Sequence, residues 1–185
     1  MKRKLILYSL ISANGIVPDD PHGVGFGEYW DDNAYLLDNL GLFERCDAYL
    51  FGRTTYEMFA KTWTRKDVGD HPYASRANSI QKFVFSSKLE RAEWNNTTII
   101  RGDVLAEVKK LKQQSGRDLL VFGNGLLSRT LLKHDLVDRL DLDIHPIMLG
   151  QGHPFSCEAQ TLKLKLSATK VYSKIVKLSY SKGDL

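Results

Sequence analysis

Residues Asp118 to Lys133, DLLVFGNGLLSRTLLK, restrict the folds open to this chain more than any other stretch. Leu119 to Phe122 run without a polar break into Gly123-Asn124-Gly125, and an apolar-periodic segment follows through Leu126, Leu127, Leu131 and Leu132. An unbroken apolar run predicts a strand covered on both faces, as in a parallel sheet. The two glycines permit a sharp turn and expose backbone N–H groups at a helix start, where a phosphate is stabilised. The unit is therefore strand, turn, helix. Phosphate binding and simple packing are both open as the purpose of its glycines.

At 185 residues the chain fits one domain over 1–185. Its 43% hydrophobic and 26% charged residues are those of a globular protein, which sets aside disordered and membrane-spanning classes. No apolar run approaches the roughly 18 residues that a bilayer span needs. Lys2-Arg3-Lys4 looks like the start of a secretory leader, but the apolar run after it is short and breaks at Ser12-Ala13-Asn14-Gly15. A cytoplasmic location is the expectation.

Cys46 and Cys157 form neither a disulfide framework nor a metal spacing, and the five histidines offer no helical i, i+4 pair, so no metal is expected. The net charge of +4 is modest and its basic residues are scattered, with no aromatic stacking platform. Neither nucleic acid nor membrane is expected as a partner. A small phosphorylated ligand suits such a balance.

Along the chain, Lys4 to Ser12 reads as a buried strand, and Ile16 to Glu28, with Pro18, Pro21 and three glycines, as a loop long enough to be a lid. Tyr29 to Arg45 reads as a helix with Trp30, Ala34, Leu37 and Gly41 on one stripe, widened by Leu36, Leu40 and Phe43. Asp47 to Phe51 is a second strand. Gly52 opens a second helix in which Thr54 and Glu57 have the form of a capping box. Thr62 to Asp70 reads as a loop and Pro72 to Ser79 as a short helix. Gln81 to Ser86 and Thr97 to Arg101 are strands, and Val104 to Gln114 is an amphipathic helix. Asp138 to Leu149 is a further strand, and Leu162 to Tyr172 with Lys174 to Tyr180 form an antiparallel hairpin. Repeated strand–helix units followed by strands imply an α/β fold, a mixed sheet with helices on both faces.

Phosphate-friendly residues stand at three strand ends: Gly123-Asn124-Gly125, Gly52-Arg53-Thr54-Thr55 and Ser86-Ser87-Lys88. A helix start adds about half a positive charge, and a guanidinium adds a full one. Each group has a plainer use: Arg53 pairing with a local carboxylate, Thr54 capping a helix, or Ser86 to Lys88 as a polar loop. Ligands of open α/β sheets bind beyond the carboxyl ends of the strands, so the three together suit a ligand with several phosphates, namely NADPH. No G-x-x-x-x-G-K-[ST] sequence occurs for a nucleoside triphosphate. Gly123 to Ser128 approximates G-x-G-x-x-G, yet the acid at the right separation, Asp143, lies early in its strand, which argues against a standard Rossmann unit.

Together with Ser12-Ala13-Asn14-Gly15, Gly52-Arg53-Thr54-Thr55-Tyr56-Glu57, Lys82 to Leu89 and Gly123-Asn124-Gly125, the segment Leu136-Val137-Asp138 through Pro146 to Gly152 resembles the dihydrofolate-reductase-like family. The likeness is nearer to the branch related to the C-terminal reductase domain of bacterial riboflavin biosynthesis, and it covers nearly the whole chain. The resemblance implies a three-layer α/β fold with a mixed, mostly parallel sheet of about eight strands, commonly homodimeric. It implies NADPH contacts at Ala13, Gly52, Arg53, Thr54, Ser86, Ser87, Gly123, Gly125, Leu126 and Leu127, to which Thr55, Lys88 and Asn124 are added as neighbours in the same motifs. The family usually has Gly-Gly where this chain has Gly123-Asn124; Asn tolerates a left-handed backbone, so the turn is expected to persist. In dihydrofolate reductase a carboxylate on the first helix serves the proton transfer. The matching helix here begins with Asp31 and Asp32, the candidate catalytic residues, although acids are also favoured there by the helix dipole alone.

The expected activity is an NADPH-dependent oxidoreductase passing hydride to a small pterin- or pyrimidine-like heterocycle. Two alternatives stand beside it. One is a non-catalytic module that keeps the nucleotide pocket; the other is a kinase- or transferase-like enzyme that binds ATP.

Overall fold

Alternation along the strand β1 (Leu5–Ser12) sends Leu5 and Leu7 to one face of a sheet and Ile6 and Tyr8 to the other, and all four are buried. A computed structural model describes residues 2–18, 26, 32–69, 71–156 and 161–183. The first half continues with β2 (Ile16–Val17), α1 (Asn33–Arg45), β3 (Cys46–Gly52), α2 (Arg53–Trp63), α3 (Pro72–Ser79), β4 (Gln81–Phe85) and β5 (Thr97–Ile100). The second half comprises α4 (Val104–Gln113), β6 (Asp118–Phe122), α5 (Leu126–Lys133), β7 (Arg139–His145), β8 (His153–Pro154), β9 (Leu164–Val171) and β10 (Val176–Lys182).

The main sheet has eight strands in the order β5-β4-β3-β6-β1-β7-β10-β9. Its strands are parallel from β5 to β7; β10 then runs antiparallel to β7, and β9 closes the edge antiparallel to β10. The expected α/β fold with a mixed, mostly parallel sheet is what forms. An aromatic core with Phe43, Tyr56, Trp63 and Tyr73 from α1, α2 and α3 covers one face. Aliphatic Val108, Leu111, Leu127 and Leu131 from α4 and α5 cover the other. At roughly 1.5–3 kcal/mol per fully buried large apolar side chain, these two layers supply the main stabilisation.

Acidic residues tie down the amino ends of the parallel strands. Asp47 accepts from Arg3 and from the Arg117 backbone (2.8 Å), Asp118 from the Lys4 backbone (3.0 Å), and Asp138 from the Leu5 backbone (2.7 Å) and the buried Lys112. Among the described residues the carboxyl ends carry no such acidic pins, and it is beyond these ends that ligands of open α/β sheets bind.

Several elements depart from the expected pattern. On α1 the buried stripe is Tyr35, Asn39, Leu42 and Phe43, while Ala34, Gly41 and Leu37 (59% exposed) face solvent. The widening row Leu36, Leu40 and Phe43 does pack on the aromatic core, but Tyr35 and Asn39 meet a polar strip of the sheet, which hydrophobicity alone does not select; Trp30 lies outside the described residues. β7 stops at His145 because Pro146 has no N–H to give the ladder. α2 runs on to Trp63, and a short 3-10 turn at Lys66–Val68 follows within the expected loop. Ile16 and Val17 of the expected lid pair with His153–Pro154 as a two-stranded ladder. Of the rest of that loop only Pro18 and Phe26 are described; Phe26 is buried and stacked on His145 at 4.2 Å. Among the described residues no helix is long and apolar enough to cross a membrane.

Candidate active site

β3 and β6 are neighbours in the sheet, but the helices that follow them leave in opposite directions. α2 starts on the aromatic face and leads toward β4; α5 starts on the aliphatic face and leads toward β7. A crevice opens where two such connections part, at the carboxyl ends of the strands. The two helix starts come close across it: a Cβ built on Gly52 would lie 3.8 Å from Leu127 Cβ.

A cavity of about 370 Å³ occupies this crevice, lined by Gly52, Arg53, Thr54 and Thr55 of α2, by Ser86, Ser87 and Lys88 after β4, and by Gly125, Leu126, Leu127 and Ser128 of α5. Gly52 and Gly125 are the N-caps, and neither helix start has a side-chain cap. Their first N–H groups are therefore left for a ligand. Among the described residues, chain neighbours aside, no atom lies within 4 Å of where a Cβ would stand on Gly123 or Gly125, so the backbone there is open to close approach. Two open helix starts, a guanidinium, an ammonium and hydroxyls fit the phosphates of a dinucleotide.

The capping box does not form. Thr54 lies one residue inside α2, and Glu57 pairs instead with Arg53 at 3.1 Å, both groups near half exposed. Glycine is already the N-cap, so Glu57 is left to its i, i+4 neighbour. Ser86 Oγ accepts from the Lys88 and Leu89 backbone N–H groups at 3.1 and 3.0 Å, which fixes the turn that presents Ser87 and Lys88.

A second cavity, of about 800 Å³, adjoins the first and shares Thr54, Thr55, Phe122 and Gly125 with it. Tyr8, Phe43, Tyr49, Phe59, Trp63 and Tyr73 form its aromatic walls, and Asn39, Gly123 and Asn124 also line it. Lys61, Arg65 and Arg129 give the lining a cationic share. Its size and apolar walls suit a small planar ring. Among the described residues no carboxylate lines either cavity.

The turn between the cavities differs from expectation in one respect. Gly123 takes the left-handed conformation (φ 75°), and Asn124 does not. Asn124 is buried and donates from Nδ2 to Pro154 O at 3.0 Å, while its Oδ1 stays buried without a hydrogen-bond partner. Asn124 thus needs no backbone strain. The structure brings together every expected cofactor residue except Ala13. Ala13 is exposed in the turn after β1, where its N–H donates to Ile147 O at 2.8 Å, and it lines neither cavity.

Asp31 lies outside the described residues. Asp32 is the N-cap of α1: Oδ1 accepts from the Ala34 and Tyr35 backbone at 3.0 and 3.1 Å, and Oδ2 from the Ser173 backbone and hydroxyl at 2.9 and 2.8 Å. Those bonds, the two from Ser173 first, lower its carboxyl to about 2. It lines neither cavity among the described residues, and these bonds make it the N-cap of α1.

A different acid stands behind the larger cavity. Asp143 on β7 is fully buried, and its Oδ2 accepts from Tyr8 Oη at 2.6 Å and Tyr35 Oη at 2.7 Å. Lys177 Nζ lies 3.9 Å from Oδ1 and donates to Asp38 at 2.6 Å and to Asn39. Burial raises the Asp143 carboxyl; the pull of Lys177 and the phenols only partly offsets it. Burial, then the Asp143 charge, raises Tyr8 well above the usual phenol range. Burial opposes ionisation of Asp38, but hydrogen bonds from Lys170 and Lys177 outweigh it and hold the carboxyl at about 2. Sequence reasoning missed this group. Its signal was there: Asp141 and Asp143 sit two apart in an apolar strand, and both are fully buried.

Comparison with known proteins follows this geometry. Residues 32–178 match the RibD C-terminal domain family. The chain is 30% identical over 183 residues to the uncharacterized protein YyaP of Bacillus subtilis (strain 168), covering 97% of this chain and 95% of that one. It is 26% identical to YwjB of the same organism, over 97% and 98% of the two chains. A putative riboflavin biosynthesis protein from Shewanella sp. PV-4 superposes with a TM-score of 0.71 at 21% identity over the full length of both chains. A Thermotoga maritima diaminohydroxyphosphoribosylaminopyrimidine deaminase/5-amino-6-(5-phosphoribosylamino)uracil reductase gives a TM-score of 0.68 at 15% identity, over 98% of this chain and 57% of that one. The family match spans most of the sequence: the chain belongs to the RibD C-terminal domain family.

Proposed function

We propose that the chain is an NADPH-dependent reductase that passes hydride to a small pterin- or pyrimidine-like heterocycle. The observation that carries this reading is the pair of uncapped, glycine-led helix starts at the β3/β6 crevice, opening on a cavity that joins an aromatic-lined one. In this reading the α2 and α5 starts hold the pyrophosphate, and Arg53, Ser87 and Lys88 hold the extra phosphate. NADPH supplies the hydride when bound. The aromatic walls exclude water and stack a planar ring, and Lys61, Arg65 and Arg129 attract an anionic substituent on it. Family membership and the named activity of the Thermotoga protein support the reductase class.

A thermal-shift panel of NADPH, NADH and ATP tests the cofactor: NADPH raises the melting temperature most. No shift with NADPH sinks the assignment, and protection by ATP alone points to a phosphate-transferring enzyme. NADPH oxidation with dihydrofolate and with ribosylaminouracil compounds then tests the substrate class.

A second reading, a nucleotide-binding module without chemistry, is favoured by the absence of a carboxylate from both cavity linings among the described residues. A bound NADPH with no turnover on any heterocycle supports it. A homodimer is part of the proposal, supported by Leu164, Leu166 and Val171, exposed by 44%, 53% and 75% on the edge strand β9. Sedimentation of the wild type and of Leu166→Lys checks it; a monomeric wild type overturns it.

A further inference from the structure

Tyr8 is at once a wall of the larger cavity and a direct hydrogen-bond partner of a buried carboxyl group. Tyr35 also bonds to Asp143, but it does not line the cavity. We propose that Tyr8 is the proton donor of this site, with Asp143 as the positioning residue that holds the proton behind it and restores it to Tyr8. The proposal rests on the reductase reading and supplies the acid which that reading lacks.

The residues around Asp143 are Tyr8 from β1, Tyr35, Asp38 and Asn39 from α1, Tyr73 from α3, Tyr172 just after β9, and Lys177 from β10. Two phenols on one oxygen and an ammonium 3.9 Å from the other suit a carboxyl that alternates between its neutral and ionised forms. The neutral form is favoured by burial, and the ionised form is then held by Tyr35 and Lys177. Lys177 also pairs with Asp38, and Asp38 pairs with the exposed Lys170 at the protein surface.

The atoms and electrons balance as follows. A C=N or C=O carbon of the substrate receives the hydride, with its electron pair, from the dihydronicotinamide, which is oxidised. The substrate heteroatom gains a bond to the proton of Tyr8 Oη, directly or through one water, as that O–H bond breaks. In its neutral form Asp143 donates from Oδ2 to Tyr8 Oη, the reverse of the ionised arrangement, and that proton passes to Tyr8 Oη and re-forms the phenol. Asp143 is left as a carboxylate 2.7 Å from the Tyr35 hydroxyl, and one proton from solvent returns it to its starting state.

The experiment compares wild type, Tyr8→Phe, Asp143→Asn and Tyr35→Phe. In the apoprotein, NMR of isotope-labelled aspartate follows the Asp143 carboxyl. It is expected to titrate above the ordinary carboxylate range and to move further up in Tyr8→Phe, which removes a donor to the ionised form. With NADPH and the turned-over heterocycle, Tyr8→Phe loses on the order of 100-fold or more in kcat, with KM and the NADPH thermal shift unchanged. Wild-type kcat falls as pH rises through the Asp143 titration, and Asp143→Asn flattens that profile. Wild-type kcat in Tyr8→Phe, or an Asp143 titration unmoved by Tyr8→Phe, overturns the relay while leaving the reductase reading intact. A wild type that oxidises no NADPH with any heterocycle overturns both.

Discussion

The side chain of Asn124 donates a 3.0 Å hydrogen bond to the Pro154 carbonyl, fastening the turn after β6 to the strand β8 some 30 residues later. The left-handed residue of that turn is its neighbour Gly123, which among the described residues, chain neighbours aside, has no atom within 4 Å of a Cβ position. A side chain at 123 is thus resisted by the backbone and by the ligand rather than by the fold. Gly123→Ala should cost about 1–2 kcal/mol in a denaturant melt and abolish the NADPH thermal shift. Asn124→Ala should lose about 1 kcal/mol from the broken bond. A Gly123→Ala protein with wild-type NADPH affinity removes the turn from the cofactor site.

Arg53, after β3, and Lys88, after β4, line the same cavity. If they hold the extra phosphate, Arg53→Ala and Lys88→Ala each weaken NADPH by roughly tenfold, the size of one charge-assisted hydrogen bond, and leave NADH nearly unchanged. Titration of both dinucleotides at two salt concentrations checks this. Equal loss for NADPH and NADH places the residues on the pyrophosphate instead.

Lys82 is fully buried; its ammonium donates to the Ala77 and Ile80 carbonyls at 2.7 Å each and lies 4.5 Å from the Trp94 ring centre. Burial lowers it from 10.5 to about 8, so between those values the unfolded chain binds a proton that the folded one does not. Stability therefore rises as pH goes from about 8 toward 10.5, and below pH 8 the penalty of burying the charge is fully present. Urea melts across that range are expected to show the rise in wild type and not in Lys82→Met. At neutral pH the same substitution strands two carbonyls, at about 1–3 kcal/mol.

Asp32 caps α1 and ties it to Ser173 while lining neither cavity. Asp32→Ala should lower the melting temperature and leave kcat and NADPH binding as they are. A large loss of kcat at unchanged stability returns Asp32 to the chemistry.

The order of elements, the buried parallel strands and the three phosphate-friendly strand ends were legible in the sequence because each is local. An apolar run of β-prone residues, a Gly-x-Gly turn and a 3.6-residue period depend on neighbours a few positions away. The helix α1 shows where such reading fails: Ala34, Leu37 and Gly41 form an apolar row yet face solvent, while polar Asn39 is buried. What that helix buries was decided by Lys177 and Asp143, more than a hundred residues away.

The same holds for the site. By itself the sequence determined the Gly52 to Thr55 and Gly123 to Ser128 helix starts, since a chain that turns on glycine into a helix leaves its first N–H groups open wherever it lies. Only the tertiary structure decided that these two starts share one crevice, for that follows from β6 inserting between β1 and β3. It alone also joined Tyr8 to Asp143, residues 135 apart that lie on adjacent strands, where burial raises the aspartate carboxyl above its ordinary range.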